Sequence, residues 1–307
     1  MEIVSRKRCA TFLSLAFLCL AIGRRERLIV FYIFIGKVFK AAIVSEKTVE
    51  TKRDKWDLLT QYDNQIETLL VSGLSAMFPD HKFIAEESVS RDAKLPELTD
   101  APTWFIDPID GTTNFVHKFS QCCISIGLTV CKRLELGIIY NPTNGEMYSA
   151  VRGEGAFLNG KPIKTSGVSS NPRRKPSIVR CIGSAALGLA YIASGNMDAF
   201  EMEFLGPWDV AAGRLIVEEA GGTVLDLRGL KLFSRSKGTN RTNIRIIRKP
   251  NGYQKFVQGG PHDVMKPKTT AAATEGLAKE ISKLIVETDL QTQRKRLKRV
   301  PSSSKLL

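Results

Sequence analysis

The stretch Trp104-Phe105-Ile106-Asp107-Pro108-Ile109-Asp110-Gly111-Thr112-Thr113-Asn114-Phe115 sets the reading of the whole chain. An apolar run delivers two carboxylates, on either side of Pro108-Ile109, into a Gly-Thr-Thr turn. Asp107 and Asp110 lie too close in sequence to be buried together without a counter-charge. A divalent cation is the simplest one, because hard cations take carboxylate and carbonyl oxygens. Gly111 lets the backbone approach a ligand, and the amides that follow it can point at an anion. The plainer alternative is an Asp-Pro and Asp-Gly surface turn. The apolar flanks and the acidic residues placed elsewhere weigh against it.

Working outward, 307 residues allow one large domain or two smaller ones, and 43% hydrophobic residues can build a sizeable core. The formal charge of +14 is uneven: residues 1–48 carry +6, residues 49–228 carry −5, and residues 229–307 carry +13. The part that holds the acidic motif is itself acidic. A nucleic-acid partner is therefore not expected, since such proteins put positive charge on the working face. The six cysteines, among them the pair Cys122-Cys123 inside an apolar run, show no metal-type spacing. They read as small thiols in a reducing, cytoplasmic setting rather than as a disulfide framework.

Upstream, Arg6-Lys7-Arg8 precedes the apolar run Thr11 to Gly23, and Arg24-Arg25-Glu26-Arg27 separates it from a second run, Leu28 to Gly36. The first run resembles a signal h-region, with Cys19 and Ala21 at cleavage-type positions. It is short for a membrane span, and the arginines keep the runs apart. A partly buried first helix after a leader is the favoured reading, and membrane contact through residues 11–36 the lesser one. Residues 49–79 read as helix from the stripe Leu58, Leu59, Tyr62, Ile66, Leu69, Leu70 and Leu74, with Asp63 beside it. His81 to Ala85 reads as a short strand ending in Glu86-Glu87-Ser88, followed by a polar loop over 89–103.

Downstream, Cys122 to Val130, Glu135 to Tyr140 and Glu146 to Val151 read as consecutive strands, and Gly153 to Gly160 as a further hairpin. That order predicts an α+β fold with an antiparallel sheet. Residues 165–177 read as loop, Ile178 to Ile182 as strand and Ser184 to Ser194 as helix. Gly206-Pro207-Trp208-Asp209 opens a helix through Glu219, where Asp209 could simply be a capping residue. Ala220-Gly221-Gly222 ends that helix, and Thr223 to Leu227 reads as strand. Residues 229–258 are basic, residues 271–288 read as helix, and Arg294 to Leu307 form a basic, solvated tail, with a nuclear address or an acidic partner as the alternative.

Three segments, Ala85-Glu86-Glu87-Ser88, Trp104 to His117, and Trp208 to Gly213 followed by Glu219-Ala220-Gly221-Gly222, resemble the three signatures of the inositol monophosphatase family, in order. The resemblance implies an α+β, layered αβαβα sandwich of the inositol monophosphatase and fructose bisphosphatase type over residues 35–288. Residues 1–34 are then an unaligned leader and 289–307 a tail. The segment 166–180 is shorter than the strand and helix of the family at that place, since a strand-helix-strand crossover takes roughly 30 residues. Residues 229–258 look inserted, and one extra residue separates Glu201 from Asp209.

The resemblance further implies Mg²⁺-dependent, lithium-sensitive hydrolysis of inositol monophosphate to inositol and phosphate. Glu86, Asp107 and the Ile109 carbonyl would hold one Mg²⁺. Asp107, Asp110 and Asp209 would hold a second, and a third would lean on Glu86 and water. Thr112, paired with Glu86 and backed by Asp63, would orient the attacking water. The amides around Gly111, Thr112 and Thr113 would hold phosphate. Asp110 would also bind substrate, Ser184, Ala185 and Glu201 would contact inositol hydroxyls, Lys52 would stand in a mobile loop over the site, and the enzyme would be a homodimer. The residue types suit that chemistry. A phosphate monoester is very inert, two metal ions can stabilise attacking and leaving oxygens, and oxygen-only ligands favour Mg²⁺ over Zn²⁺. The alternatives are a phosphatase for a related sugar or nucleotide phosphate, and a truncated, inactive homologue that acts as a binding protein.

Overall fold

The acidic motif lies on a strand buried along its whole length, Thr103–Asp110. The computed structural model describes residues 31, 34–52, 57–92, 95–168, 178–202, 205–225, 269–272 and 274–277. The leader up to residue 30, the basic stretch 229–258 and the basic tail lie outside the described residues. Described elements are α1 (34–44), β1 (Val49–Thr51), β2 (Leu58–Thr60), α2 (Gln61–Met77), β3 (Lys82–Ala85), α3 (Glu86–Asp92), β4 (Thr103–Asp110), α4 (Thr112–Val116) and β5 (Cys123–Val130). They continue with β6 (Arg133–Asn141), β7 (Glu146–Val151), β8 (Gly155–Leu158), β9 (Lys161–Ile163), α5 (Ala185–Ala193), β10 (Ala199–Met202), α6 (Pro207–Glu219), β11 (Thr223–Leu225) and β12 (Thr269–Ala272).

Strands β3 to β9 form one sheet in sequence order. Period-two alternation divides its side chains between two cores. Trp104 and Ile106 point to one face, where Ile35, Phe39, Ile66, Leu70 and Leu74 of α1 and α2 pack. Phe105 points to the other, against Leu187 and Leu189 of α5 and Leu215 and Ile216 of α6. A second sheet, β10-β12-β11, lies beyond α5 and α6. Four layers, α, β, α and β, are thus present among the described residues, in the α+β order of the expected sandwich. No described helix is long and apolar enough to cross a membrane.

Helix α6 is placed by the sheet itself. Gly127 of β5 and Gly137 of β6 are register partners beneath it. A Cβ on Gly127 would stand 2.7 Å from Ala211 Cβ, and one on Gly137 2.6 Å from the Ala212 carbonyl oxygen. The two glycines let the helix backbone press onto the strands. Ser125 Oγ donates to the Trp208 carbonyl at 2.9 Å, and Glu219 accepts from the Gly153 and Gly155 amides at 3.0 Å each. Both helix ends are therefore tied to the large sheet.

The structure corrects several sequence expectations. The helix expected over 49–79 begins only at Gln61, because Thr60 caps it: Thr60 Oγ1 accepts from the Tyr62 amide at 3.2 Å, and Asp63 accepts from the Thr60 amide at 2.8 Å. Residues before it form the β1-β2 hairpin. Glu86 opens a short helix instead of ending a strand, so the expected loop 89–103 starts helical. The consecutive strands β5 to β8 pair antiparallel, as expected, while β3, upstream of them, joins β4 in parallel. Residues 178–182 are not a strand, and Ile178 and Val179 stand 68% and 76% exposed. Among the described strands none pairs with them. Ala271 and Ala272, expected in a helix, sit in β12 between two partner strands.

Candidate active site

Asp107 and Asp110 come from the end of β4, and Asp209 from the first turn of α6. One carboxylate oxygen from each lies within 4.8 Å of the others. Two local features make this convergence. The β4-β5 pairing is irregular between Asp107 and Asp110, so the strand bends there. Asp209 is fixed by accepting from the Gly206 amide at 2.5 Å, across the first turn of its helix. The plain capping role and the place in the cluster therefore belong to the same side chain.

Each carboxylate is braced. Asp107 Oδ1 accepts from the Ile109 amide at 3.0 Å. Asp110 accepts from the Ala185 amide at 3.1 Å, the Ala186 amide at 2.7 Å, the Ser184 hydroxyl and, weakly, the Cys123 thiol at 3.6 Å. The start of α5 is thus docked on Asp110, which brings Ser184 and Ala185 to the cluster. Burial, then the charges of Glu86, Asp110 and Asp209, drives the Asp107 carboxyl far above the ordinary carboxylate range. Asp209 shifts the same way, from burial, Glu86 and Asp110. Asp110 is raised by burial, against the pull of its hydrogen bonds to Ser184, Ala186 and Ala185. Three carboxylates gathered here repel one another, and an oxygen-only donor set of this kind fits a hard divalent cation.

Glu86 approaches from the first turn of α3, near enough for its charge to raise both Asp107 and Asp209. Its Oε1 is 2.8 Å from Lys52 Nζ, and Glu87 Oε1 is 2.6 Å from the same ammonium. The Lys52 side chain is only 7% exposed. A buried cation thus bridges two glutamates at the edge of the site, and its own pKa is raised above the usual lysine value as their attraction outweighs burial. Glu87, chiefly through burial, is raised to about 8.

The Thr112 hydroxyl lies 3.0 Å from the Ile109 carbonyl and 3.4 Å from Asp63 Oδ1. Glu86 Oε1 is engaged by Lys52. Asp63 is fully buried, and desolvation raises its pKa to about 6. Gly111 has φ 88°, and a Cβ there would meet the Gln121 carbonyl oxygen at 2.9 Å and the Gly183 carbonyl oxygen at 3.1 Å. Both its backbone conformation and its packing require glycine. Thr113 follows it in α4. Glu201 lies in β10 of the second sheet, opposite Thr270.

Some contributors were missed in the sequence. Asn114 Nδ2 donates to the Gln121 carbonyl at 2.6 Å and the Ile182 carbonyl at 2.8 Å, pinning the segment before α5 onto the acidic corner. It stood inside the quoted motif, but its partners are remote. Glu67, buried one turn after Asp63, binds the start of α3. Two acids four residues apart on an apolar stripe were the available signal.

The layered α+β fold carries an acidic centre that suits a hard cation, and comparison with known proteins gives the family. The sequence profile of the inositol monophosphatase family matches residues 32–177 and 167–290. Inositol monophosphatase 2 of Solanum lycopersicum is 41% identical over 239 residues, covering 69% of this chain and 90% of that protein. Inositol monophosphatase 2 of Homo sapiens is 40% identical over 222 residues, covering 63% and 77%. Among solved structures, a Thermotoga maritima IMPase superimposes with a TM-score of 0.68 at 26% identity, covering 88% of this chain and 99% of that one. The chain belongs to the inositol monophosphatase family and is a phosphoric monoester hydrolase.

Proposed function

We propose that the protein hydrolyses an inositol monophosphate to inositol and phosphate with Mg²⁺ as cofactor. The observation that carries this is the convergence of Asp107, Asp110 and Asp209 within 4.8 Å in a family member whose matched relatives are inositol monophosphatases. Asp107, Asp110, Asp209, Glu86 and the Ile109 carbonyl are the oxygen donors for two to three ions. Bound there, the cations supply charge neutralisation for phosphate and acidity for water.

The remaining work falls to the chain's own groups. The Thr112 proton is directed to the Ile109 carbonyl or to Asp63, which leaves a lone pair of its oxygen to accept from a water and orient it. The backbone at Gly111, Thr112 and Thr113 presents amides to the phosphate. Ser184 and Ala185, docked on Asp110, and Glu201 of β10 would contact the inositol hydroxyls. Lys52 closes the site from the Glu86 side. A homodimer is the expected assembly.

The test is a panel of inositol, sugar and nucleotide monophosphates, assayed for phosphate release with and without Mg²⁺ and Li⁺. Preference for inositol 1-phosphate, dependence on Mg²⁺ and inhibition by Li⁺ support the assignment. Preference for a sugar or nucleotide phosphate overturns the substrate, and no release by folded protein overturns the activity.

A further inference from the structure

The hydrolytic site as described leaves a buried carboxyl group, Glu67, without a task. Glu67 on α2 is 3% exposed. Its Oε2 accepts from the Glu87 amide at 2.7 Å, and its Oε1 accepts from the Ser88 amide at 2.9 Å and the Ser88 hydroxyl at 2.6 Å. Among the described residues the guanidinium paired with it, that of Arg91, is 4.0 Å away on a side chain 66% exposed, so it contributes little. The anion is held by the first turn of α3, which is the turn that carries Glu86.

We propose that Glu67 is a positioning residue for Glu86: by locking the first turn of α3 to α2, it sets the direction from which Glu86 reaches Asp107. Helix α2 then registers both sides of the site. Asp63 meets Thr112, and Glu67, one turn later and about 6 Å along the helix, meets the start of α3. A carboxylate suits this task because it accepts all three donors at once. An amide in its place offers a single acceptor oxygen and turns its own NH₂ towards N–H groups. Outer partners of this kind change metal affinity about 10- to 100-fold when removed. The inference rests on the assignment of Glu86 as a cation ligand.

The experiment measures the Mg²⁺ concentration that gives half the maximal rise in thermal midpoint, a readout independent of turnover. It uses the full chain, Glu67→Gln, Glu67→Ala, Ser88→Ala, and Leu74→Ala as a control in the core away from the acidic cluster. Glu67→Gln is expected to raise that concentration about tenfold or more, with Ser88→Ala shifted less in the same direction. Leu74→Ala is expected to lower the midpoint temperature while leaving the Mg²⁺ requirement unchanged. A folded Glu67→Gln with the wild-type requirement overturns the inference. If neither Glu67 variant folds, Ser88→Ala decides, and an unshifted requirement there overturns it. A wild-type protein whose midpoint does not respond to Mg²⁺ fails earlier, at the cation assignment itself, and takes the inference with it.

Discussion

Adding one methyl group at Gly127 is the most informative perturbation of the fold. The new Cβ would lie 2.7 Å from Ala211 Cβ and 3.1 Å from the Ala212 nitrogen. Ordinary carbon contacts are about 3.5–4.0 Å, so α6 must retreat by about 1 Å. Overpacking of this size destabilises by about 1–3 kcal/mol. For a protein of this length that is a fall of several degrees, at about 2–4 °C per kcal/mol. The larger effect is on chemistry, because α6 carries Asp209. Mg²⁺ holds its oxygens at about 2.0–2.1 Å in near-ideal octahedra, so a donor displaced by about 1 Å is lost to it. Misplacement on that scale reduces turnover by about 100-fold. The assay is phosphate release as a function of Mg²⁺, beside thermal unfolding, for Gly127→Ala and for Leu74→Ala as a destabilised comparator. Gly127→Ala should lose far more activity than its midpoint shift explains. Activity within threefold of wild type, in a variant with a lowered midpoint, would refute the idea that the sheet sets the place of Asp209.

Three further outcomes follow from the same geometry. Lys52→Met strands Glu86 and Glu87 beside a buried acidic cluster, so the metal-free protein should lose about 3–5 kcal/mol, and Mg²⁺ should restore more stability to it than to wild type; equal Mg²⁺ responses in calorimetry would contradict the pairing. Asp63 keeps its proton to about pH 6 when folded and to about pH 4 when unfolded, so the folded state binds more protons in between. Its contribution is present below about pH 4 and fades by up to about 3 kcal/mol as pH rises to 6, and Asp63→Asn should flatten that part of the metal-free profile measured by denaturant melts. Asn114→Ala leaves the Gln121 and Ile182 carbonyls without their donor and should lower stability by about 1–3 kcal/mol, with reduced turnover because Ser184 and Ala185 lose their tether; unchanged denaturant midpoints would contradict that.

The sequence carried the site further than it carried the scaffold, for physical reasons. Asp107, Asp110 and Gly111 were readable because two carboxylates so close between apolar flanks call for a counter-charge, and a glycine beside them lets the backbone approach a ligand. Asp209 was readable by resemblance, but its delivery was not. That depends on Gly127 and Gly137, which look like ordinary weak points in strands until α6 is seen lying on them. The hairpin before Gln61 was hidden because Leu58 and Leu59 continue a helical stripe that only the Thr60 cap interrupts. Residues 178–182 have a strand-like composition but pair with none of the described strands, so tertiary context overrode propensity. The capture of Glu86 by Lys52 joins residues 34 positions apart, and no local pattern announces it.

The central claim is that Asp107, Asp110 and Asp209 form a Mg²⁺ centre that hydrolyses inositol monophosphate. Phosphate release from inositol 1-phosphate, titrated with Mg²⁺ for the wild-type chain and for Asp209→Asn, tests it most directly. The account predicts Mg²⁺-dependent release by the wild type, and a folded Asp209→Asn that has lost most of it. Wild-type rates in Asp209→Asn, or release that does not depend on Mg²⁺, would contradict it.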